Sequence, residues 1–293
     1  MKKVIWLLLL ALLLTGCSTQ KAKPSKPASI GICVRNYADA PAYYSDIEQS
    51  FLQLGYEVTV FDCVNDQARQ DEKVAQLVKT SRLLIVEPVM VTALDAVIDS
   101  AEQAGVPVVF LDRQPELAED RSWYYVGVDL QSAGAKQAQL LEGLENRGDL
   151  NGDGMVSCVI LRGPEDHKDA QAITDACMTA LTGAQVLETV AAQWTMEDAR
   201  AQCAQMLARL GPDVEVILCN SPELTQGAVE AVQNGGWTPG QDMFVLGVGD
   251  ATEGVSATVW LSQTERVTTL VELVQRVLTG EMAEKFTFVE YVS

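Results

Sequence analysis

The chain carries a single histidine, His167, and only 21 lysines and arginines against 40 aspartates and glutamates in its 293 residues. A formal charge of −19 repels phosphate, which excludes nucleic acid as a partner, and no helix-turn-helix segment precedes Ile30. Zinc spacing is missing as well. No CxxC pair or Cys/His cluster occurs, and Cys33, Cys158 and Cys219 lie inside apolar runs where a thiol packs as a small hydrophobe. Nor is there a GxSxG elbow or a cysteine with a partner histidine, so the chain reads as a non-enzyme; Asp39 and Asp169 are the pair through which a glycosidase reading would run.

What is present begins at the amino terminus. Lys2 and Lys3 precede an apolar run at 6–14, which leads into Leu14, Thr15, Gly16 and Cys17. That run is too short to span a bilayer and ends in small residues, so it reads as an export signal. The pattern resembles bacterial lipoprotein leaders, which implies cleavage before Cys17 and a lipid on that residue as the sole membrane attachment. Residues 1–16 are then the leader. Residues 17–29, polar and holding Lys21, Lys23, Lys26, Pro24 and Pro27, are a flexible tether to the extracytoplasmic face of the membrane. Loss of Lys2 and Lys3 leaves the remainder more acidic still.

From Ile30 onward, short apolar runs alternate with longer amphipathic stretches, the pattern of parallel sheets wrapped by helices. The clearest strands are IGICV, YEVTVF, RLLIVE, VPVVFLD, YYVGV, SCVILRG, VEVILCN and MFVLGV, whose near-continuous hydrophobicity says that both faces are buried. Two such series exceed one small sheet and suit two α/β domains, with the break near 125–129. Ligands of open α/β sheets sit beyond the carboxyl ends of the strands. The polar residues there are Asn36, Asp39, Glu87, Asp112, Arg113, His167, Asp169, Trp194, Asn220, Ser221 and Asp250. Each has a plainer reading. Asp39 and Asp169 suit helix caps, Arg113 a surface ion pair, Trp194 a core aromatic and His167 a helix start.

The sharpest motif is DLNGDGMVS at 149–157. Oxygen-bearing Asp149, Asn151 and Asp153 alternate, a glycine follows for the sharp turn, and Met155 offers a carbonyl, which together make the first half of a calcium loop. Position 12, where a bidentate Glu belongs, is Ile160. Either the segment is a polar turn, or a carboxylate such as Glu215 arrives from the neighbouring strand. A cation here would be structural, at the end of the strand away from the cleft.

The stretches NDQARQ (65–70), AGVPVVFLD (104–112), YYVGVD (124–129), DLNGDGMVSCVILRGPEDHKDA (149–170) and VEVILCNS (214–221) resemble, in the same order, galactose/glucose-binding members of the type I periplasmic binding protein family. The resemblance implies two Rossmann-like lobes with parallel sheets, joined by a three-segment hinge. It places 30–127 plus 262–280 in the first lobe and 128–261 plus 281–293 in the second. It further implies a monomer that captures a monosaccharide for an ABC permease, or for a chemoreceptor or histidine kinase in a sensing variant. Structural Ca2+ would be held by Asp149, Asn151, Asp153, Met155, Ser157 and Glu215, with Ser157 standing where the family has Gln. Asp39, His167, Asp169 and Trp194 match ligand-contacting positions. Pro41, Glu87, Ile173, Ser221, Gly249 and Leu261 depart from them, so the familiar hexose network is altered. Asp112-Arg113 is similar to the pair of ribose-binding relatives. Asp250 could replace the acid lost at Gly249, Tyr37, Tyr43 or Tyr44 could supply the second aromatic wall, and Glu87 could draw a cationic polyol.

Overall fold

The computed structural model describes residues 29–293. The leader, Cys17 and all of the tether except Ser29 lie outside the described residues.

The first sheet begins with β1 (Ser29–Val34), β2 (Glu57–Asp62), β3 (Leu83–Val86), β4 (Val108–Leu111) and β5 (Trp123–Asp129). All its pairings are parallel, with Cys33 opposite both Phe61 and Val86. The central strands are buried on both faces, so alternate residues feed two cores. Ile30, Ile32, Ile85 and Leu111 face one, and Cys33, Leu84, Val86 and Phe110 the other. Each fully buried Ile, Leu or Phe contributes about 1.5–3 kcal/mol relative to exposure. The crossover helices α1 (Pro41–Gln53), α2 (Gln67–Leu77) and α3 (Asp95–Ala104) cover these faces. Asp66 starts α2 by accepting the Arg69 N–H at 3.1 Å.

Asp129 ends β5 and caps α4 (Leu130–Gln139), accepting from the Gln131 and Ser132 amides at 3.0 and 3.2 Å. There the chain passes to a second parallel sheet, made of β6 (Val156–Arg162), β7 (Ala184–Ala191), β8 (Val216–Cys219), β9 (Phe244–Val248) and β10 (Ala257–Val259) in the order β10-β9-β8-β6-β7. Its helices are α5 (Lys168–Ala180), α6 (Met196–Leu210) and α7 (Pro222–Asn234). Helices α4 and α5 pack so closely that a Cβ on Gly134 would lie 2.0 Å from the Ile173 carbonyl oxygen.

The chain then returns. Ser262 caps α8 (Gln263–Thr279), whose Val267, Leu270, Leu273 and Val274 enter the first lobe's core. The final strand, β11 (Phe286–Glu290), corrects part of the expected partition, which puts 281–293 in the second lobe: β11 pairs in parallel with β5 and completes the first sheet in the order β11-β5-β4-β3-β1-β2, while Tyr291 packs with Ala133, Ile173, Val248 and Val259 of the second lobe. Without β11, β5 would present unpaired backbone groups at a sheet edge, and β11 satisfies them. Beyond it, Val292 and Trp260 exchange backbone hydrogen bonds at 2.9 and 2.8 Å, tying two of the three crossings between lobes together.

Candidate binding cleft

Parallel pairing places the carboxyl ends of the strands of each sheet on one edge. Beyond β1, Arg35 donates to Asn65 Oδ1 at 3.2 Å and pairs with Asp39, which also accepts from Asn36 Nδ2 at 2.6 Å. Beyond β3, Glu87 is 5% exposed and accepts from the Arg35 amide at 2.9 Å and the Tyr44 hydroxyl at 2.8 Å. Burial pushes its carboxyl above the ordinary range, outweighing those two donors. Beyond β4, Asp112 has a left-handed backbone, φ 58°, and its Oδ2 lies 2.9 Å from Arg266 Nη2. Burial raises this carboxyl too, against the opposing pull of Arg266 and the Tyr43 hydroxyl. The Arg266 guanidinium stacks 3.9 Å above the Tyr43 ring. Arg113 Nη1 donates to the carbonyls of Pro88 and Val89 at 2.6 and 2.5 Å, and no other hydrogen bond of its guanidinium is formed among the described residues.

On the second lobe, His167 is the residue before α5 and Asp169 stands in its first turn. The His167 ring meets Trp194 edge-on, centroids 5.4 Å apart. Trp194 in turn lies against Gly163, where a Cβ would come within 2.2 Å of the indole. Buried Asn220 donates to Ala170 O at 3.1 Å and Thr174 Oγ1 at 2.9 Å, pinning α5 to the end of β8. Ser221 is the cap of α7, its Oγ accepting from the Leu224 amide at 3.2 Å.

Two cavities open along this edge. One, of about 550 Å³, takes Asp112, Arg113, Tyr125 and Phe288 from the first lobe and His167 and Asp169 from the second. The other, of about 410 Å³, is lined by Gly249, Asp250, Trp260, Leu261 and Tyr291 among others. Four of the expected residues, Asp112, Arg113, His167 and Asp169, thus share one cavity, and Asp250 lines the second. Asp39, Glu87, Trp194 and Ser221 line neither, although Trp194 reaches the first through His167. Sequence reasoning overlooked Arg35 and Arg266, whose partners come from distant segments, and Phe288, whose alternation with Phe286 in FTFVE was the available signal.

At the opposite end of β6, the 149–157 loop closes on its own amides. Asp149 accepts from Gly152 and Gly154 at 2.6 and 2.9 Å, Asn151 from Asp153 at 2.8 Å, and Asp153 from Met155 at 2.9 Å. Glu215, 3% exposed, reaches across from the start of β8. Its Oε1 accepts from Leu150 and Asn151 at 2.7 and 2.9 Å and its Oε2 from Ser157 at 2.8 Å. Among the described residues, no three His, Cys, Asp or Glu side chains converge closely enough to hold a metal ion in this geometry.

The family described as a periplasmic binding protein domain matches residues 37–281, and a prokaryotic membrane lipoprotein lipid attachment site matches residues 1–18. The chain is 28% identical over 267 residues to the ribose import binding protein RbsB of Bacillus subtilis, covering 84% of this chain and 81% of that one. It is 28% identical over 194 residues to the D-galactose/methyl-galactoside binding periplasmic protein MglB of Haemophilus influenzae, covering 61% and 58%. An ABC transporter periplasmic solute binding protein from Actinobacillus succinogenes, solved with bound D-allose, superposes with a TM-score of 0.71 at 19% identity, over 90% of this chain and 96% of that one. The lipid attachment site and the family together place the chain at the extracytoplasmic face of a membrane, anchored there.

Proposed function

The chain belongs to the periplasmic binding protein domain family, and on that premise we propose that it is the solute-binding lipoprotein of an ABC importer, capturing a monosaccharide or a closely related polyol between its lobes. The observation that supports this most is the cavity in which Asp112 and Arg113 of one lobe face His167 and Asp169 of the other, beside the rings of Tyr125 and Phe288. A sugar presents pairs of hydroxyls and an apolar C–H face. Ionised carboxylates accept from hydroxyl pairs, the free edge of a guanidinium donates to hydroxyl oxygens, and aromatic rings cover the C–H face. Because the donors and acceptors sit on both lobes, a bound ligand favours the closed arrangement, which a permease in the membrane can read. The relatives named for ribose import binding and for D-galactose/methyl-galactoside binding agree with this class of ligand. No reaction is assigned to the site.

Calcium belongs to the same proposal. The donor set of the 149–157 loop is all oxygen and suits a hard cation, with Asp149, Asn151, Asp153, the Met155 carbonyl, Ser157 and Glu215 as its holders. The support is Glu215, which already reaches the loop from another strand. A carboxylate has about four lone-pair sites, so Glu215 and Asp149 keep capacity beyond their amide partners. The cation would supply charge neutralisation and stiffness to the loop.

The test is a thermal-shift panel of D-ribose, D-galactose, D-glucose, D-allose and myo-inositol. A ligand at about 100 times its Kd adds roughly 2.7 kcal/mol of stability, a readily measured rise in Tm. Arg113→Gln and Asp169→Asn are expected to abolish the rise while leaving a cooperative melt. Silence across the panel would refute the sugar assignment.

A further inference from the structure

The ionisable side chains around the 550 Å³ cavity pair off unequally. Glu116 of the first lobe faces Lys168 of the second at 3.8 Å. Asp112 is met by Arg266, which is not among the cavity-lining residues and reaches it from α8; the two side chains are only 20% and 22% exposed. Stacking on Tyr43 fixes the plane of that guanidinium, so the pair is held rather than transient. Two charges remain. Arg113 is anchored on neutral carbonyls, and among the described residues neither it nor Asp169, on the opposite lobe, makes an ion pair. The cavity is therefore electrically balanced within a chain of net charge −19. An uncharged guest placed between Arg113 and Asp169 leaves that balance intact. A cationic guest adds a charge that nothing in the cavity offsets, in a space where desolvation makes an uncompensated charge costly.

We propose that Arg266 sets the charge class of the ligand: by neutralising Asp112 from behind, it keeps this cavity for uncharged polyols and excludes aminated sugars. This rests on the sugar-binding reading above and deepens it. Arg266 is a positioning residue that acts through Asp112, holding its Oδ2 at 2.9 Å from the side away from the cavity lining. Remove the guanidinium and the Asp112 carboxyl loses the cation that balances it, leaving its ionised form to be complemented by the protonated amine of an aminated sugar. The repulsive element in this selectivity is thus the arginine, not any group in contact with the guest.

The decisive experiment is titration calorimetry on the detergent-solubilised full chain, with D-galactose against D-galactosamine and D-glucose against D-glucosamine, at a pH where the amines are protonated. The parent protein is expected to bind the neutral member of a pair at least about tenfold more tightly. Arg266→Lys, which keeps the charge, should preserve that preference. Arg266→Met should erase or invert it, whereas a merely structural role would weaken both members equally and leave the ratio unchanged. If Arg266→Met shows no cooperative melt, the parent and Arg266→Lys ratios decide. Equal binding of amine and neutral sugar by the parent, or an unchanged ratio in Arg266→Met, overturns this inference alone. Failure of the parent to bind any of the four overturns the sugar reading and this inference with it.

Discussion

Glu215→Ala tests the link between the 149–157 loop and the second sheet. The native carboxylate accepts three amide hydrogen bonds of 2.7–2.9 Å, two on Oε1 and one on Oε2, from a site that is 3% exposed. A hydrogen bond to a charged group contributes about 1.5–3 kcal/mol, and truncation strands its partners. Leu150 and Asn151 are exposed, so water re-solvates part of the loss. A net cost of about 3 kcal/mol remains. For a domain of this size a kilocalorie moves Tm by about 2–4 °C, so Glu215→Ala should melt about 6–12 °C below the parent. Glu215→Gln offers one acceptor oxygen and sets an NH2 against an amide N–H, so it should fall between the two. Thermal melts by circular dichroism, run in chelator so that no metal contributes, read this directly. A Tm for Glu215→Ala within about 2 °C of the parent would refute the carboxylate's role as the loop's anchor. Repeating the melts in calcium separates the ion: the parent should rise and Glu215→Ala should not.

Two further outcomes follow from the cleft. Gly163→Ala places a methyl 2.2 Å from the Trp194 ring; the indole must move, at about 1–3 kcal/mol for an overpacked site, and near-ultraviolet circular dichroism should lose the share of the tryptophan signal that Trp194 contributes, together with sugar affinity. An unchanged spectrum would show that Trp194 is not held there. The raised carboxyl of Glu87 predicts a pH dependence. The folded protein keeps this proton to higher pH than the unfolded chain, so stability falls as pH rises from the ordinary value of about 4.3 through the folded one. Glu87→Gln, whose amide oxygen can still accept from Arg35 and Tyr44, removes that loss. Its Tm should gain on the parent's as pH rises, and parallel curves would refute the shift.

The cleft also explains why the altered positions need not leave polar groups stranded. Glu87, read at first as an attraction for a cationic guest, is committed to the Arg35 amide and the Tyr44 hydroxyl. Tyr43 and Tyr44, considered as a second aromatic wall, are 3% and 4% exposed and instead support Asp112 and Glu87 from within the core.

The sequence by itself determined the sheets that are buried on both faces, because runs such as RLLIVE and VEVILCN have no polar face to show and can only be internal parallel strands. It likewise determined the turn at 149–157, since alternating side-chain oxygens and two left-handed glycines act within one short segment. The strands β7, β10 and β11 were not legible. They lie at sheet edges, where most residues are half-buried or exposed and β10 is only three residues long, so no long, fully buried apolar run marks them. The expectation failed for 286–290 for that reason: which edge a short final strand joins depends on which strand still lacks a partner, and no local pattern records it. The pairing of Arg266 with Asp112, 154 residues apart, was equally hidden. Only the return of α8 across the hinge brings them together, so the identity of the rim residues was written in the chain while their charge balance was decided by the fold.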